Sequence, residues 1–302
     1  MTRLADFFIV GAPKCGTTAL SEYLREHPLL FVSKPKEPSF FCEDLPGLRY
    51  VTSRADYDAL FSGIGPEKKM AGEASPSYLY SQVAIARIRA YNPDARLVVM
   101  LRHPVDLLLS YHTQLCFSLF EDELNFETAW RLQQTRAAGG SIPVNCREPA
   151  LLQYAAVVDF NAQIDRALAS FPREQLLIQL YEDFQQNPRF VYERVLRHIG
   201  VESDNRSDFR PINRAKVARS VRLNMMLHAP PKWAVSGLSR LSGTRLHDAI
   251  VALHERLKAM NSQDRRPAAI SEEFRAELLH CFRPQVDALE QRLGRPLEAW
   301  RK

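Results

Sequence analysis

The sequence predicts an α/β fold: a P-loop-like parallel sheet flanked by helices, with a helical C-terminal extension. Two observations lead to this prediction. The apolar residues 7–10 run through a glycine-containing loop into an amphipathic helix, which is the order of a strand–loop–helix anion site. Residues 97–101 are apolar on both faces, as a central parallel strand is.

Length and composition suit one large globular domain, since the chain has 302 residues, of which 46% are hydrophobic and 25% charged. We expect an α/β core at 1–208, a basic region at 209–270 and C-terminal helices at 271–302. The apolar runs are shorter than the roughly 18 residues that span a bilayer, so we expect no transmembrane anchor. Because the first strand begins within a few residues of the start, we expect no signal peptide.

The five cysteines are scattered, with neither metal-ligand spacing nor a disulfide framework. We therefore expect reduced thiols, no metal and a cytoplasmic protein. The net charge of +5 fits either an ordinary basic surface or a polyanionic ligand. Because no helix-turn-helix, zinc-finger or RNA-binding signature is present, we expect no nucleic-acid partner.

The loop after the first strand has the composition of a phosphate site. Its glycines, Gly11 and Gly16, allow close approach of the backbone, and Lys14, Thr17 and Thr18 add a charge and hydroxyl donors. The loop departs from the G-x-x-x-x-G-K-[ST] motif, because its lysine comes before the second glycine and Thr17 follows that glycine.

Residues 11–20 resemble the 5′-phosphosulfate loop of the sulfotransferases that use 3′-phosphoadenosine 5′-phosphosulfate (PAPS). The branch that they resemble contains bacterial sulfotransferases and heparan-sulfate sulfotransferase domains. The resemblance implies that PAPS is the co-substrate and 3′-phosphoadenosine 5′-phosphate (PAP) the product. It also implies a set of cofactor contacts in this loop, namely Lys14, Cys15, Gly16, Thr17 and Thr18.

After a short extended segment at 29–32, the chain places Glu37 between two lysines and a Phe40-Phe41 pair. A glutamate in this setting is either a positioned group or a solvated side chain paired with Lys34 or Lys36. In the resembling family, a similar K-E-x-x-F-F segment carries the proposed catalytic base, which implies that role for Glu37.

Residues 43–68 are expected to have little regular structure. Residues 69–78 indicate a strand, a loop and a helix start, with Ser75 or Ser77 as N-cap. The family resemblance implies that Glu73 and Tyr78 border the acceptor pocket. Local capping and core packing would explain both residues equally well.

Arg102 follows the strand at 95–101, at the edge where open α/β sheets bind ligands. The resemblance implies that Arg102 and Ser110 hold the 3′-phosphate of the cofactor, and a guanidinium suits a phosphate dianion. The alternative is a salt-bridged arginine at a strand end. His103 and His112 read as structural residues, although His112 stays a candidate for acceptor binding.

The rest of the chain reads as helices and one strand. We expect helices at 126–137, 154–171, 188–199 and 271–294, the last with a break at Pro284, and a strand at 175–181. Residues 209–247 carry many Lys and Arg but no Asp or Glu.

This basic stretch is either a solvated face or a lid over a charged nucleotide. The resemblance implies cofactor contacts here, which we assign to Lys216 and Arg219. The match is loose, because Val217 stands where the family has glycine. Apolar residues such as Met225 and Trp233 leave two further roles open, an acceptor channel or contact with a membrane surface.

The predicted function is transfer of a sulfuryl group from PAPS to a hydroxyl or amine. The acceptor is a glycan, a lipid, a polyketide-type chain or a small molecule. Lys14 and Glu37 are the predicted catalytic residues. One alternative is a P-loop kinase that uses ATP and Mg²⁺, against which the position of Lys14 argues. A non-catalytic nucleotide-binding protein is the other.

Overall fold

The fold is described by a computed structural model. The described residues are 4–210, 216–218, 256–257, 260–264 and 268–302. They fall into two compact units. The first comprises Met1–Leu108, Gln153–Asn213 and Ser271–Lys302, and the second comprises Leu109–Leu152 and Arg214–Ile270. The sequence did not indicate that residues 109–152 would group with much of the predicted basic region.

A five-stranded parallel sheet forms the centre of the first unit, which confirms the predicted fold class. Its strands are β1 (Phe7–Gly11), β2 (Leu30–Val32), β3 (Met70–Ala74), β4 (Arg96–Leu101) and β5 (Leu176–Leu180). The order across the sheet is β2-β3-β1-β4-β5. Strand β1 lies in the middle with every residue buried, because its apolar side chains face helices on both sides of the sheet.

Helices connect these strands as the apolar patterns predict. Those of the first unit are α1 (Thr17–Glu26), α2 (Arg54–Ala59), α3 (Ala84–Tyr91), the start of α4 (Pro104–Phe117), α7 (Tyr154–Val157), α8 (Phe160–Ser170), α9 (Tyr181–Gln186), α10 (Pro188–Ile199) and α11 (Glu272–Leu293). Gly200 ends α10 in the left-handed conformation, with φ of 79°, as predicted.

Two helix predictions were wrong. The helix expected at 154–171 is interrupted between α7 and α8, where the Asp159 side chain accepts a hydrogen bond from Ala162 N and starts a new helix. The break expected at Pro284 does not occur, and α11 is continuous. Its buried face continues on both sides of the proline through Phe282 and Val286, so tertiary packing outweighs the lost backbone hydrogen bond.

The region 43–68 is more regular than predicted, since it contains α2 and a 3₁₀ turn at Pro46–Leu48. Neither Ser75 nor Ser77 caps a helix. Helix α3 begins only at Ala84, whose N–H donates to the Ser81 hydroxyl.

In the second unit, the described residues include the rest of α4, two short helices and a small sheet. The helices are α5 (Phe126–Arg131) and α6 (Gln133–Ala137), and the sheet pairs β6 (Lys216–Ala218) antiparallel with β7 (Ser262–Asp264). Arg136 and Glu121 form a buried bidentate ion pair here, with N–O distances of 2.6 and 2.7 Å. In the part of the chain that the structure describes, no helix is long and apolar enough to cross a membrane.

Candidate active site

The carboxyl ends of β1, β3, β4 and β5 meet at one edge of the sheet, and the first feature there is the loop between β1 and α1. Gly16 precedes α1 with φ of 80°, and within the described residues no side chain caps the helix. The first turn carries no acidic residue. The N–H groups and the positive end of the helix dipole are therefore available to an anion.

The two loop glycines are explained by packing inside the protein. A Cβ on Gly11 would lie 2.5 Å from Leu79 Cβ, and a Cβ on Gly16 would lie 3.0 Å from the Tyr181 ring. At Gly11 this differs from our expectation, because the missing side chain makes room for Leu79 and not for a ligand. Gly16 is needed both for its positive φ and for the aromatic neighbour.

Lys14 lies in this loop with φ of 63° and is half-buried. Burial lowers the pKa of its ammonium, Glu37 opposes this effect, and the nearby Arg102 charge lowers the pKa further. These effects identify Glu37 and Arg102 as electrostatic neighbours of Lys14. Cys15, by contrast, is fully buried and burial raises the pKa of its thiol. Only its backbone is suited to contact a ligand.

Arg102 follows β4 and is held against the loop. Its Nη1 donates to the Lys14 carbonyl oxygen over 3.2 Å, and its guanidinium lies 4.8 Å from the Tyr181 ring centroid. Tyr181 begins α9 directly after β5. The sequence analysis did not name Tyr181 as a site residue, although its position at a strand end beside that of Arg102 was a usable signal.

Glu37 belongs to the loop after β2 and has φ of 62°. Its N–H donates to the Ala74 carbonyl oxygen over 3.1 Å, which ties the loop to the end of β3. The carboxylate pairs with Lys36, one of the two partners considered from the sequence, and is 52% exposed. Phe41 is buried against Phe8, as expected of an anchor.

The sequence left two interpretations open for Glu73 and Tyr78, a place at the acceptor pocket or core packing, and the structure places both side chains in the core. Both are fully buried, and the Tyr78 hydroxyl donates to Glu73 Oε1 over 2.7 Å. Tyr57 and Ser75 hydroxyls also donate to the Glu73 carboxylate. The sequence could not show this network, because Tyr57 lies in a segment expected to be irregular.

Two further candidates, Ser110 and His112, lie on the part of α4 that belongs to the second unit. Ser110 is buried. His112 is also buried, its Nε2 lies 2.8 Å from the Glu123 carbonyl oxygen, and burial lowers the pKa of its imidazole. These contacts fit the structural interpretation made from the sequence, and a role of His112 in acceptor binding stays a prediction.

The predicted lid contacts stay predictions. The backbone of Lys216 lies in β6, and Arg219 lies outside the described residues. Where side chains are described, no group of three or more His, Cys, Asp or Glu is arranged to hold a metal ion. The five cysteines are free thiols.

Comparison with known proteins bears on what this edge of the sheet does. A family model described as "Sulfotransferase domain" matches residues 4–226. The chain belongs to the sulfotransferase family. The family resemblance seen in the sequence is thereby confirmed, and the kinase alternative is not favoured.

Individual relatives are more distant. Human carbohydrate sulfotransferase 15 is 27% identical over 249 residues, covering 66% of this chain and 44% of that protein. Mouse heparan sulfate glucosamine 3-O-sulfotransferase 3A1 is 30% identical over 200 residues, covering 66% of this chain and 47% of that protein. The chain thus spans less than half the length of these relatives.

A solved structure matches nearly the whole chain. It is a sulfotransferase from Alicyclobacillus acidocaldarius, with a TM-score of 0.73 and 26% identity, covering 99% of this chain and 100% of that chain. The shared architecture therefore extends beyond the residues that the family model matches.

Proposed function

We propose that this sulfotransferase moves a sulfuryl group from PAPS to a hydroxyl or amine of an acceptor. The observation that supports it best is the position of Lys14. This half-buried residue lies in the loop that leads to the open N-terminus of α1. Arg102 donates a hydrogen bond to its carbonyl oxygen, and the Glu37 charge raises the pKa of its ammonium against the effect of burial. Such a cationic set of donors fits a phosphosulfate anion.

PAPS supplies the sulfuryl group, which moves to the acceptor oxygen or nitrogen as the bond from sulfur to the 5′-phosphate oxygen breaks and PAP leaves. Lys14 stabilises the negative charge that collects on the leaving 5′-phosphate. The backbone N–H groups of Cys15 and Gly16 and the hydroxyls of Thr17 and Thr18 hold that phosphate. Catalysis then depends on positioning and charge neutralisation, as in phosphoryl transfer.

Arg102 holds the 3′-phosphate in this proposal. A guanidinium carries five N–H donors, so its bond to the Lys14 carbonyl leaves others for a ligand. Tyr181 stacks beneath the guanidinium and limits its motion. Contacts of Ser110, Lys216 and Arg219 with the 3′-phosphate stay predictions from the sequence.

Glu37 is the proposed base that accepts the proton of the acceptor. It is exposed, acidic and close to Lys14, whereas the other candidates, Glu73 and His112, are buried in hydrogen-bond networks. The names of the relatives point to carbohydrate acceptors, so we propose a carbohydrate hydroxyl as the first acceptor to test. Lipids and small molecules stay in the acceptor screen, and action in the cytoplasm stays a prediction.

Calorimetry with PAP, ADP and AMP tests the cofactor assignment. PAP should bind much more tightly than the other two, because only PAP carries a 3′-phosphate. Arg102→Gln should remove most of that preference. The matched control is Arg89→Gln, since Arg89 also lies over an aromatic ring, that of Phe171 at 5.4 Å, but at the other end of the sheet. Equal affinities of the unmodified protein for all three nucleotides would contradict the proposal.

A further inference from the structure

Glu73 is a buried carboxylate that the reaction itself does not use. It lies in β3 and is fully buried, and three hydroxyl groups converge on it. Tyr57 and Tyr78 donate to Oε1 over 2.9 and 2.7 Å, and Ser75 donates to Oε2 over 2.8 Å. A buried carboxylate is tolerated only with such compensation, so the chain maintains this arrangement at a cost to stability.

Ser75 connects this carboxylate to the loop that carries Glu37. The Ser75 hydroxyl gives its proton to Glu73, so its lone pairs are left to accept, and they accept the Ser39 N–H over 3.1 Å. Ser39 follows Glu37 by two residues. The neighbouring carbonyl of Ala74 accepts the Glu37 N–H, so both ends of this short turn are attached to the end of β3.

The turn needs such support because its backbone is strained. Glu37 and Ser39 have φ of 62° and 49°, a region that residues other than glycine rarely adopt. Conformations of this kind persist only where surrounding contacts impose them. The hydrogen bond from Ser39 to Ser75 is one such contact, and Glu73 sets the orientation of the Ser75 hydroxyl.

The two tyrosines provide a second connection. The Tyr57 ring stacks on Phe40 with centroids 4.6 Å apart, and Phe41 packs edge-on against Tyr57 and Tyr78 at 5.1 and 5.7 Å. Phe40 and Phe41 follow Ser39 directly. By fixing both tyrosine hydroxyls, Glu73 also fixes the rings on which the far end of the Glu37 loop rests.

We propose that Glu73 is a positioning residue that holds Glu37 in its working conformation, through Ser75 on one side and through Tyr57 and Tyr78 on the other. The inference rests on the proposed role of Glu37 as the base. It assigns Glu73 no contact with PAPS or acceptor. Its removal should therefore reduce turnover and leave PAP affinity unchanged.

The protonation of Glu73 provides a readout that a purely structural residue would not. Burial raises its pKa to about 7, with a smaller contribution from the Glu37 charge, while the three hydroxyl donors oppose the shift. The buried tyrosines and the thiol around it, Tyr57, Tyr78, Tyr91 and Cys42, ionise above this range, because burial raises their pKa values.

A protonated Glu73 adds an O–H donor where three hydroxyls already donate, and it accepts hydrogen bonds more weakly than the carboxylate, so the orientation of the Ser75 hydroxyl is less firmly held. The turnover number should therefore fall as pH decreases through about 7. Glu73→Gln should lose this acid limb, and its turnover should be lower by about 10-fold to 10²-fold, the cost of a small misplacement of a catalytic group.

Ser75→Ala cuts the connection and leaves Glu73 with its two tyrosines, so it tests the same inference if Glu73→Gln does not fold. It should lower turnover with unchanged PAP affinity, and Ser75→Thr should restore most of the loss. Ser81→Ala is the control, because Ser81 is also a buried, hydrogen-bonded serine but lies outside this connection. A Ser75→Ala protein with wild-type turnover and an unchanged pH profile would overturn the inference.

A double-mutant cycle separates this inference from the assignment of the base. If Glu73 acts through Glu37, then Ser75→Ala should cost almost nothing in a Glu37→Gln background. If the two substitutions instead reduce turnover by independent factors that multiply, the positioning role is rejected and Glu37 remains the base. Wild-type turnover in Glu37→Gln alone would reject the base, whatever Ser75→Ala does.

Discussion

Arg102 donates a hydrogen bond from Nη1 to the carbonyl oxygen of Lys14 over 3.2 Å, which brings together two cationic residues from the segments that follow two different strands. Strands β1 and β4 are neighbours in the sheet, so the loop after the first meets the residue after the second. Like charges this close oppose each other, and the Arg102 charge does lower the pKa of Lys14. A bound polyanion would relieve that repulsion.

Lys14→Met should therefore separate stability from activity. Turnover and PAPS affinity should both fall, because the charge on the leaving phosphate loses its partner. The melting temperature without nucleotide should stay the same or rise, since burial and Arg102 both disfavour the ammonium. Thermal melts and initial rates test this. Lys34→Met, which removes an exposed lysine, is the control and should keep wild-type turnover.

Transfer should proceed in EDTA, because Lys14 supplies the positive charge at the leaving phosphate in this proposal. The measurement is the initial rate of a desalted sample with EDTA and with added Mg²⁺. The two rates should agree closely. An absolute requirement for Mg²⁺ would instead support phosphoryl-type chemistry with a metal.

Gly16→Ala should destabilise the protein and weaken PAP binding. The new alanine must adopt φ of 80°, and its Cβ would lie 3.0 Å from the Tyr181 ring and 3.1 Å from the Phe184 ring. Gly139→Ala measures the cost of the positive φ alone, because Gly139 has φ of 86° and a Cβ added there would have no other atom within 4 Å. Both variants should lose about 1 kcal/mol from the backbone, and Gly16→Ala should lose more. Equal losses in a urea titration, with unchanged PAP affinity, would refute the packing argument.

The strands that build the site were predictable from sequence because they are buried on both sides. Strands β1, β4 and β5 agree with their apolar runs to within about one residue at each end, and the residues that leave them are Lys14 and Arg102. Parallel strands place their carboxyl ends together, so the pattern placed Arg102 at the edge where ligands bind, whereas its hydrogen bond to the Lys14 carbonyl oxygen is seen only in the structure.

Residues whose environment depends on distant partners were not predictable. The sequence did not show that Tyr57 would donate a hydrogen bond to Glu73. It also did not show that buried residues on both sides of Pro284 would keep the helix continuous. The ion pair of Glu121 and Arg136 was not predicted for the same reason, because it too is a contact between separate segments. It joins a residue after α4 to one in α6, and no local periodicity relates them.

Arg136→Met should be strongly destabilising. Both partners of this ion pair are fully buried, so the variant leaves a buried Glu121 carboxylate without its guanidinium partner, although the N–H groups of Asp122 and Glu123 still donate to it. Loss of one partner of such a pair costs about 3–5 kcal/mol. Arg131→Met is the control, because Arg131 pairs with Glu127 at the surface over 3.5 Å, which should matter by about 0.5 kcal/mol or less. Similar midpoints for the two variants in urea would contradict the prediction.

Glu37→Gln should lower turnover by roughly 10²-fold to 10⁴-fold, the usual contribution of a general base. The amide keeps the size of the side chain but cannot take a proton. PAP affinity should stay near that of the unmodified protein, because the change removes a negative charge that no phosphate contacts. Lys36→Met is the partner control, since it leaves the carboxylate in place and removes only its ion pair.

The informative comparison is the split between binding and turnover across these variants. Lys14→Met should change both quantities, Glu37→Gln only turnover, and Lys36→Met should have a small effect on either. The Glu37 backbone is fixed through Ala74 and does not depend on Lys36, so the carboxylate should keep its place when that lysine is lost. If Glu37→Gln retained wild-type turnover with a good acceptor, another group would have to take the proton of the acceptor. Glu37 would then not be the catalytic base.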